Sequence, residues 1–165
     1  MLAALAPLTF APPVAVVYNP LVYAATTHAA YTRRYARAGV RVLFVGMNPG
    51  PWGMSQTGVP FGTIRHVTGY LGIPPAAVPP PPPVHPDRPI TGFATTRAEV
   101  SGDRLWGWAA ARYGAASGTP PGFLSWAYVY NYCPLAFVEA SGRNRTPDRL
   151  PAAERAPLVA ALCAA

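Results

Sequence analysis

Three apolar stretches of the chain predict strands. VAVVY at 14–18 is a short β-branched run that stops at Asn19-Pro20. VRVLFVGM at 40–47 is continuously apolar, a pattern typical of a strand buried on both faces of a parallel sheet. WAYVYNYCPL at 126–135 is aromatic and β-branched and ends at Cys-Pro, so it predicts a third strand.

Between and after these strands lie segments with helical content. Helices are predicted over 21–38, 63–72, 102–113 and 151–165. Ser101 is a suitable N-cap for the third of them, and we expect its Trp106 and Trp108 to pack in the core. In the last helix, Pro157 is expected to kink or delay the helical turns.

Alternation of strands and helices predicts one α/β domain over 1–165, with a mainly parallel sheet. Ligands of such sheets bind at the carboxyl ends of the strands. Two unusual loops, 48–62 and 131–146, begin where predicted strands end, so we expect them to face one crevice.

The segment 74–89 is rich in proline and is predicted to form an extended loop. Such a segment can serve as a ligand for an SH3-type domain. It can equally be a tolerated surface insertion, and no basic residue flanks a clear PxxP core here. The insertion is the interpretation that we favour.

Charge adds a possible partner to this picture. The net charge is +7, and all thirteen basic residues are arginine. A basic excess favours a polyanionic partner, and arginine binds phosphate and stacks on bases better than lysine does. A coding bias that also enriches alanine and proline explains the arginine preference equally well. We expect neither a signal peptide nor a membrane-spanning segment.

The chemistry of the two loops depends on amides and one aromatic ring. GMNPGPWGMSQTGVPFG at 46–62 holds Asn48 and Phe61, and Asn131 ends the third strand. An asparagine amide presents a donor beside an acceptor, which matches the N3–H and O4 edge of uracil. An aromatic face stacks on such a ring. The simpler interpretation of Asn131 is a turn residue at a strand end.

Acidic and histidine residues are scattered along the sequence. Of the six acids only Glu139 lies within either loop, which argues against a hydrolase with two catalytic carboxylates. His28, His66 and His85 are expected to be core or surface residues rather than ligands. The sequence contains no HExxH, CxxC, Walker or GxGxxG motif, so neither a metal nor an organic cofactor is predicted.

The loop at 46–62 resembles the first motif of the single-strand-selective monofunctional uracil-DNA glycosylases, within the uracil-DNA glycosylase superfamily. Other segments resemble the same family in the same order: YNPLVYA at 18–24, HPDRPITG at 85–92, EVSGDRLWGW at 99–108, NYCPL at 131–135 and SGRNRTP at 141–147. The resemblance runs from about residue 8 onwards. It implies a three-layer α/β/α fold of the uracil-DNA glycosylase type, here incomplete at its C-terminus.

The resemblance also implies an activity and a set of site residues. Members of the family excise uracil and some 5-substituted uracils, such as 5-hydroxymethyluracil, from DNA. Asn48 would position the attacking water, and the substrate-binding residues would be Met47 (through its backbone), Gly50, Met54, Phe61 and Asn131. Gly50 stands where stricter uracil glycosylases carry an aromatic that excludes a 5-substituent. The implied DNA-binding residues are Ser141, Gly142, Arg143, Asn144, Arg145, Arg149 and Arg155.

One departure from the family matters for function. The second family motif, of the HPSP type, carries a histidine that stabilises the uracil anion, and it does not occur in this sequence. Two main hypotheses follow: the N-terminal part of an active repair glycosylase, or a non-catalytic DNA- or uracil-binding remnant. A proline-rich interaction module is a third. In the first two the partner is DNA, the protein is expected to be a monomer, and the location is nuclear in a eukaryote and cytoplasmic otherwise.

Overall fold

The structure is a computed structural model that describes residues 2–114 and 122–164. Its strands are β1 (Val14–Tyr18), β2 (Val42–Gly46), β3 (Ala127–Asn131), β4 (Ala136–Glu139) and β5 (Asn144–Arg145). Its helices are α1 (Leu2–Leu5), α2 (Pro20–Tyr23), α3 (Ala25–Tyr35), α4 (Met54–Thr57), α5 (Val100–Tyr113) and α6 (Ala152–Cys163). All three predicted strands are therefore confirmed.

These strands form two small sheets. β2 pairs with β3 in parallel, whereas β4 lies between β1 and β5 and is antiparallel to both. The α/β class is confirmed, but the prediction of a mainly parallel sheet is wrong for the described residues. The sequence did not indicate β4 and β5, because both are short and directly follow turn-forming segments. Their antiparallel ladder changes the character of the sheet.

Several predicted helix boundaries shift. The predicted helix at 21–38 divides at Ala24 into α2 and α3, and it ends at Tyr35. Within 63–72 the backbone is π-helical over His66–Tyr70. Ser101 lies inside α5, whose N-cap is Glu99, so the predicted serine cap is wrong.

The last helix and the proline-rich loop behave largely as predicted. α6 begins one residue after Pro151 and runs through Pro157 to Cys163, so the predicted delay of the helix at Pro157 is wrong. Residues 74–84 have no regular secondary structure, in agreement with an extended loop. None of the helices in the described ranges combines the length and the apolarity needed to cross a membrane.

An aromatic core joins α3, α5 and the β2–β3 sheet. Tyr31, Trp106 and Phe123 are fully buried in it. The indole N–H of Trp106 donates to the Pro60 carbonyl at 3.1 Å, so this ring also fixes the long loop after β2. Trp108 is 46% exposed, so the expectation that it packs in the core is wrong.

Strand β2 is far more exposed than its apolar sequence predicts. Val42, Leu43 and Val45 are 41%, 53% and 56% exposed, although a strand buried on both faces was predicted. The strand has one partner, β3, among the described residues. An apolar strand of this kind needs neighbours on both edges and cover on both faces, and residues 2–114 and 122–164 do not supply them.

Two glycines of α5 give a matched test of this packing. A Cβ at Gly102 would lie 2.1 Å from the Phe61 carbonyl oxygen, whereas a Cβ at Gly107 would meet only His66, at 3.9 Å. We expect Gly102→Ala to destabilise the fold by about 1–3 kcal/mol through overpacking. Gly107→Ala should stabilise it by about 0.5–1 kcal/mol, because alanine favours the helix. Urea unfolding measures both, and equal effects of the two substitutions would contradict the packing of α5 on the loop.

Candidate active site

The parallel pairing of β2 and β3 brings the two unusual loops together. Gly46, the last residue of β2, lies in register with Asn131, the last residue of β3. Both loops therefore leave the sheet at the same edge, as predicted. Between them is a cavity of about 150 Å³. Its lining residues are Asn48, Gly50, Met54, Phe61, Glu99, Ser101, Asn131 and Asn144.

Gly46 allows two of these side chains to meet. A Cβ at this position would lie 2.1 Å from Asn131 Oδ1 and 2.6 Å from the Phe61 ring, so only glycine leaves them room. Phe61 itself has a φ of +57°, a left-handed conformation that is unusual for a bulky residue. Local strain of this kind is tolerated where the surrounding structure fixes it, and here it aims an aromatic ring into the cavity.

Asn131 holds its amide almost completely out of solvent. The residue is 3% exposed, and its Nδ2 donates to the Met54 sulfur at 3.2 Å. A thioether is a weak acceptor, so this contact is a poor replacement for water. The buried amide therefore has hydrogen-bonding capacity for a polar ligand in the cavity.

The amide nitrogen of Asn48 is directed to backbone carbonyl oxygens of the protein. Asn48 Nδ2 faces the carbonyl oxygens of Leu135 and Arg145, each at 3.4 Å. These two long contacts orient the side chain with its nitrogen toward the protein. The amide oxygen is then the atom that can accept a hydrogen bond from a water in the cavity.

Glu99 and Ser101 line the cavity, although the sequence analysis assigned neither to it. Glu99 stands just before α5, and its Oε2 accepts the Trp52 N–H at 3.1 Å. A Cβ on Gly50 would lie 2.2 Å from the same oxygen, so the carboxylate occupies the space beside this glycine. Glu139, the one acid within the two loops, is paired with Arg145 and does not line the cavity. The sequence analysis missed an acid brought to the cavity from elsewhere, and the match of EVSGDRLWGW at 99–108 was the available signal.

Met47 and Cys133 hold the two loops against each other through the backbone. The N–H of Cys133 donates to the Met47 carbonyl at 3.1 Å. The Cys133 side chain is fully buried, and burial raises the pKa of its thiol to about 11. A thiol with this pKa is protonated at neutral pH, so it does not serve as a nucleophile.

All three histidines lie outside the cavity lining. His28 Nδ1 faces the Gly58 carbonyl, and burial lowers its pKa. His66 is buried 3.2 Å from Asp103, and its pKa is also lowered, mainly by burial. His85 is buried against the Ala140 carbonyl. These positions agree with the prediction that the histidines are structural.

The predicted DNA-binding residues at 141–155 do not all present free side chains. Arg145 forms an ion pair with Glu139 at 2.8 Å, and Arg155 donates to the Asp148 carbonyl. Gly142 has a φ of +75° and forms a tight turn. Four others are exposed: Ser141, Arg143, Asn144 and Arg149. Asn144 also lines the cavity.

The fold resembles that of a solved structure, SMUG2. The wild-type SMUG2 of Pedobacter heparinus matches with a TM-score of 0.55 at 24% identity, over 84% of this chain and 52% of that one. At this identity the match shows the fold alone. The protein is thus an α/β protein with the fold of SMUG2. No family model matches the sequence.

Three curated relatives with the same name are similar to this chain. Single-strand selective monofunctional uracil-DNA glycosylases from mouse and rat are 46% and 47% identical, over 98% of this chain. The bovine protein of the same name is 45% identical over 94%. This chain is therefore similar to these glycosylases over nearly all of its own length. It spans less than two thirds of their length, 57% for mouse and cow and 58% for rat.

Proposed function

We propose that this protein recognises and excises uracil in DNA, as a base excision repair enzyme. One observation carries the proposal. Asn48, Phe61 and Asn131 line a single small cavity at the carboxyl ends of two parallel strands. The Asn131 amide pairs with the N3–H and O4 edge of the base, and Phe61 stacks on its face.

The reaction requires the base to leave the DNA stack first. A cavity of about 150 Å³ admits one extruded base and no part of a duplex, so the target nucleotide must flip out. As the N-glycosidic bond breaks, the sugar becomes positively charged and the bonding electron pair goes to uracil. Catalysis then depends on stabilising that anion in a site that excludes water. The buried Asn131 amide N–H is the donor that these residues supply.

Asn48 positions the nucleophile in this proposal. Its amide oxygen accepts a hydrogen bond from water, which adds to C1′ of the sugar while its proton passes to uracil or to solvent. An oxocarbenium-like sugar captures water readily, so orientation matters more than a strong base. The same reasoning explains why an amide can take this role, since two long contacts already hold it in place.

Gly50 completes the base-binding wall in the proposal, and Met54 packs against the Asn131 amide. Met47 does not line the cavity, and its proposed backbone contact with the base is made from the start of the loop. The DNA strand lies across the 141–155 loop, where Arg143 and Arg149 are exposed. Arg145 supports that loop through its ion pair. The protein acts as a monomer wherever DNA is held, the nucleus in a eukaryote and the cytoplasm otherwise.

We further propose that the natural protein continues past Ala165 with strands that cover β2 and with an HPSP-type motif. The exposed apolar side chains of Val42, Leu43 and Val45 support this. Sequencing the transcript beyond codon 165 tests it. A reading frame with two β-branched runs and that motif is expected, whereas a stop codon directly after Ala165 contradicts it.

Asn131→Ala tests the recognition step. Wild-type protein should bind a uracil-containing single-stranded oligonucleotide more tightly than the same strand with cytosine, and Asn131→Ala should abolish that preference. The loss of one buried hydrogen-bond partner is worth about 1–3 kcal/mol. Fluorescence anisotropy measures binding, and a labelled strand reports base release in the same samples.

The two readouts separate the alternatives. Release that Asn131→Ala abolishes means that the cavity works without the second motif. Uracil-dependent binding without release supports a recognition part that needs further residues for catalysis, which is also what a non-catalytic remnant would show. A wild-type protein indifferent to uracil contradicts the proposal.

Selection among 5-substituted uracils is the finer part of the proposal, and it depends on Glu99 beside Gly50. A carboxylate accepts a hydrogen bond from a 5-hydroxymethyl group but loses hydration against the methyl group of thymine. Glu99→Ala should weaken binding of 5-hydroxymethyluracil relative to uracil by about 1.5–3 kcal/mol.

Glu99→Gln is the matched control, because its amide oxygen still accepts and should retain part of the preference. Competition binding measures the ratio of the affinities for 5-hydroxymethyluracil and uracil. A loss of the Trp52 N–H contact that weakens binding of both bases equally therefore cancels in this ratio. Equal losses for uracil and 5-hydroxymethyluracil would show that Glu99 does not face the 5-position.

A further inference from the structure

A second, larger cleft lies beside the cavity and shares a wall with it. Its volume is about 670 Å³. Trp52 lines it, while the backbone N–H of the same residue donates to Glu99, which lines the cavity. Arg88 and Arg97 also line it, and Ser141 reaches it from the 141–155 loop. The cleft therefore adjoins both the base-binding cavity and the loop that resembles the family's DNA-binding segment.

The two arginines are arranged around the indole ring of Trp52. The Arg97 guanidinium carbon lies 4.2 Å from the ring centroid and the Arg88 carbon 5.5 Å. A guanidinium that stacks on an aromatic ring uses its face for the contact and keeps its in-plane N–H groups for other partners. Those groups form the planar fork that binds phosphate.

Neither arginine has a counterion within the described ranges. The carboxylates of residues 2–114 and 122–164 lie more than 4.0 Å from both, although Asp87 lines the same cleft. The Arg97 side chain makes no hydrogen bond to any residue in those ranges. Arg88 Nε is buried without a partner, and its Nη1 reaches only the Asp87 carbonyl at 3.1 Å. Two positive charges and a buried N–H thus lack an anion.

A buried glutamine fixes the shape of the cleft in advance. Gln56 Nε2 donates to the carbonyls of Pro51 and Pro89, at 2.8 and 2.9 Å. Its Oε1 accepts the N–H groups of Thr91 and Gly92. The amide therefore ties the loop that carries Trp52 to the segment that carries Arg88. A preformed cleft loses less conformational entropy when it binds a ligand.

We propose that this cleft binds the phosphates of the DNA strand next to the flipped nucleotide. The inference rests on the proposed function for its biological meaning. Its physical basis is separate: unpaired arginines, an aromatic platform and a preformed wall suit the backbone of a single strand. In this proposal the DNA strand passes Ser141, and one or two of its phosphates bind Arg88 and Arg97. The neighbouring base then lies in the cavity.

Salt dependence on an undamaged single-stranded oligonucleotide tests the cleft without reference to uracil. Each phosphate contact contributes about 0.7 to the slope of log K against log salt for single strands. Arg97→Ala and Arg88→Ala should each reduce the slope by about that amount.

Arg112→Ala is the matched control. This residue is also an exposed arginine over an aromatic ring, with its guanidinium carbon 5.6 Å from the Tyr113 centroid. It lies at the opposite end of α5 from Glu99. Its substitution removes the same charge and should leave the slope unchanged. Equal reductions in all three variants would mean that net charge alone drives binding, and would overturn the proposal.

Replacing single DNA phosphates by an uncharged group shows which phosphate binds in the cleft. A methylphosphonate is placed in turn at each position flanking the uracil. One position should weaken wild-type binding roughly tenfold and leave Arg97→Ala unaffected. No coupled position on either flank would overturn the cleft assignment.

The two proposals can fail separately. A salt slope that depends on Arg97 without any uracil preference removes the proposed function and keeps the cleft. A uracil preference together with a salt slope that Arg88→Ala and Arg97→Ala leave unchanged keeps the proposed function and removes the cleft proposal. Thermal unfolding of each variant confirms that it is folded.

Discussion

The parallel pairing of β2 with β3 is the interaction on which the candidate site depends. The register that places Gly46 opposite Asn131 decides where both loops leave the sheet. It also sets Asn131 against the Phe61 ring, at a contact that only a glycine permits. A slip of one residue would turn the Asn131 side chain to the other face and leave the cavity without its buried amide.

The loop after β2 is held by contacts from three separate parts of the chain. Trp106 binds the Pro60 carbonyl, Gln56 ties Pro51 to the segment near 89–92, and Glu99 accepts the Trp52 N–H. These hydrogen bonds fix a segment of glycine and proline that has little intrinsic preference of its own. They make it rigid enough to orient a base. They also explain how Phe61 is kept in a left-handed conformation.

Charge is distributed in a way that suits a polyanionic ligand beside a neutral one. Amides, a thioether and an aromatic ring dominate the small cavity, with a single carboxylate at Glu99. The adjacent cleft carries Arg88 and Arg97 without a counterion in the described ranges. A nucleotide has this same division, an uncharged ring next to a charged backbone. The geometry thus offers separate surfaces for the two parts of one ligand.

Local patterns in the sequence were enough to predict the α/β class, the three main strands, and Asn48, Phe61 and Asn131 as residues of one crevice. An apolar run followed by glycine and proline marks the end of a strand locally. Parallel strands of an α/β protein place their carboxyl ends at the same end of the sheet, so the residues that follow them lie close together. The antiparallel pairing of β4, the exposure of β2, and the arrival of Glu99 and Arg97 beside the motif became visible in the folded chain alone. Glu99 and Arg97 both contact Trp52, more than 40 positions earlier, and β4 pairs with the distant β1, and neither periodicity nor spacing records which distant segments will meet. The same physics explains why the predicted Ser101 cap was wrong: the helix begins where Glu99 is held by the Trp52 N–H, and not where a local capping preference would start it.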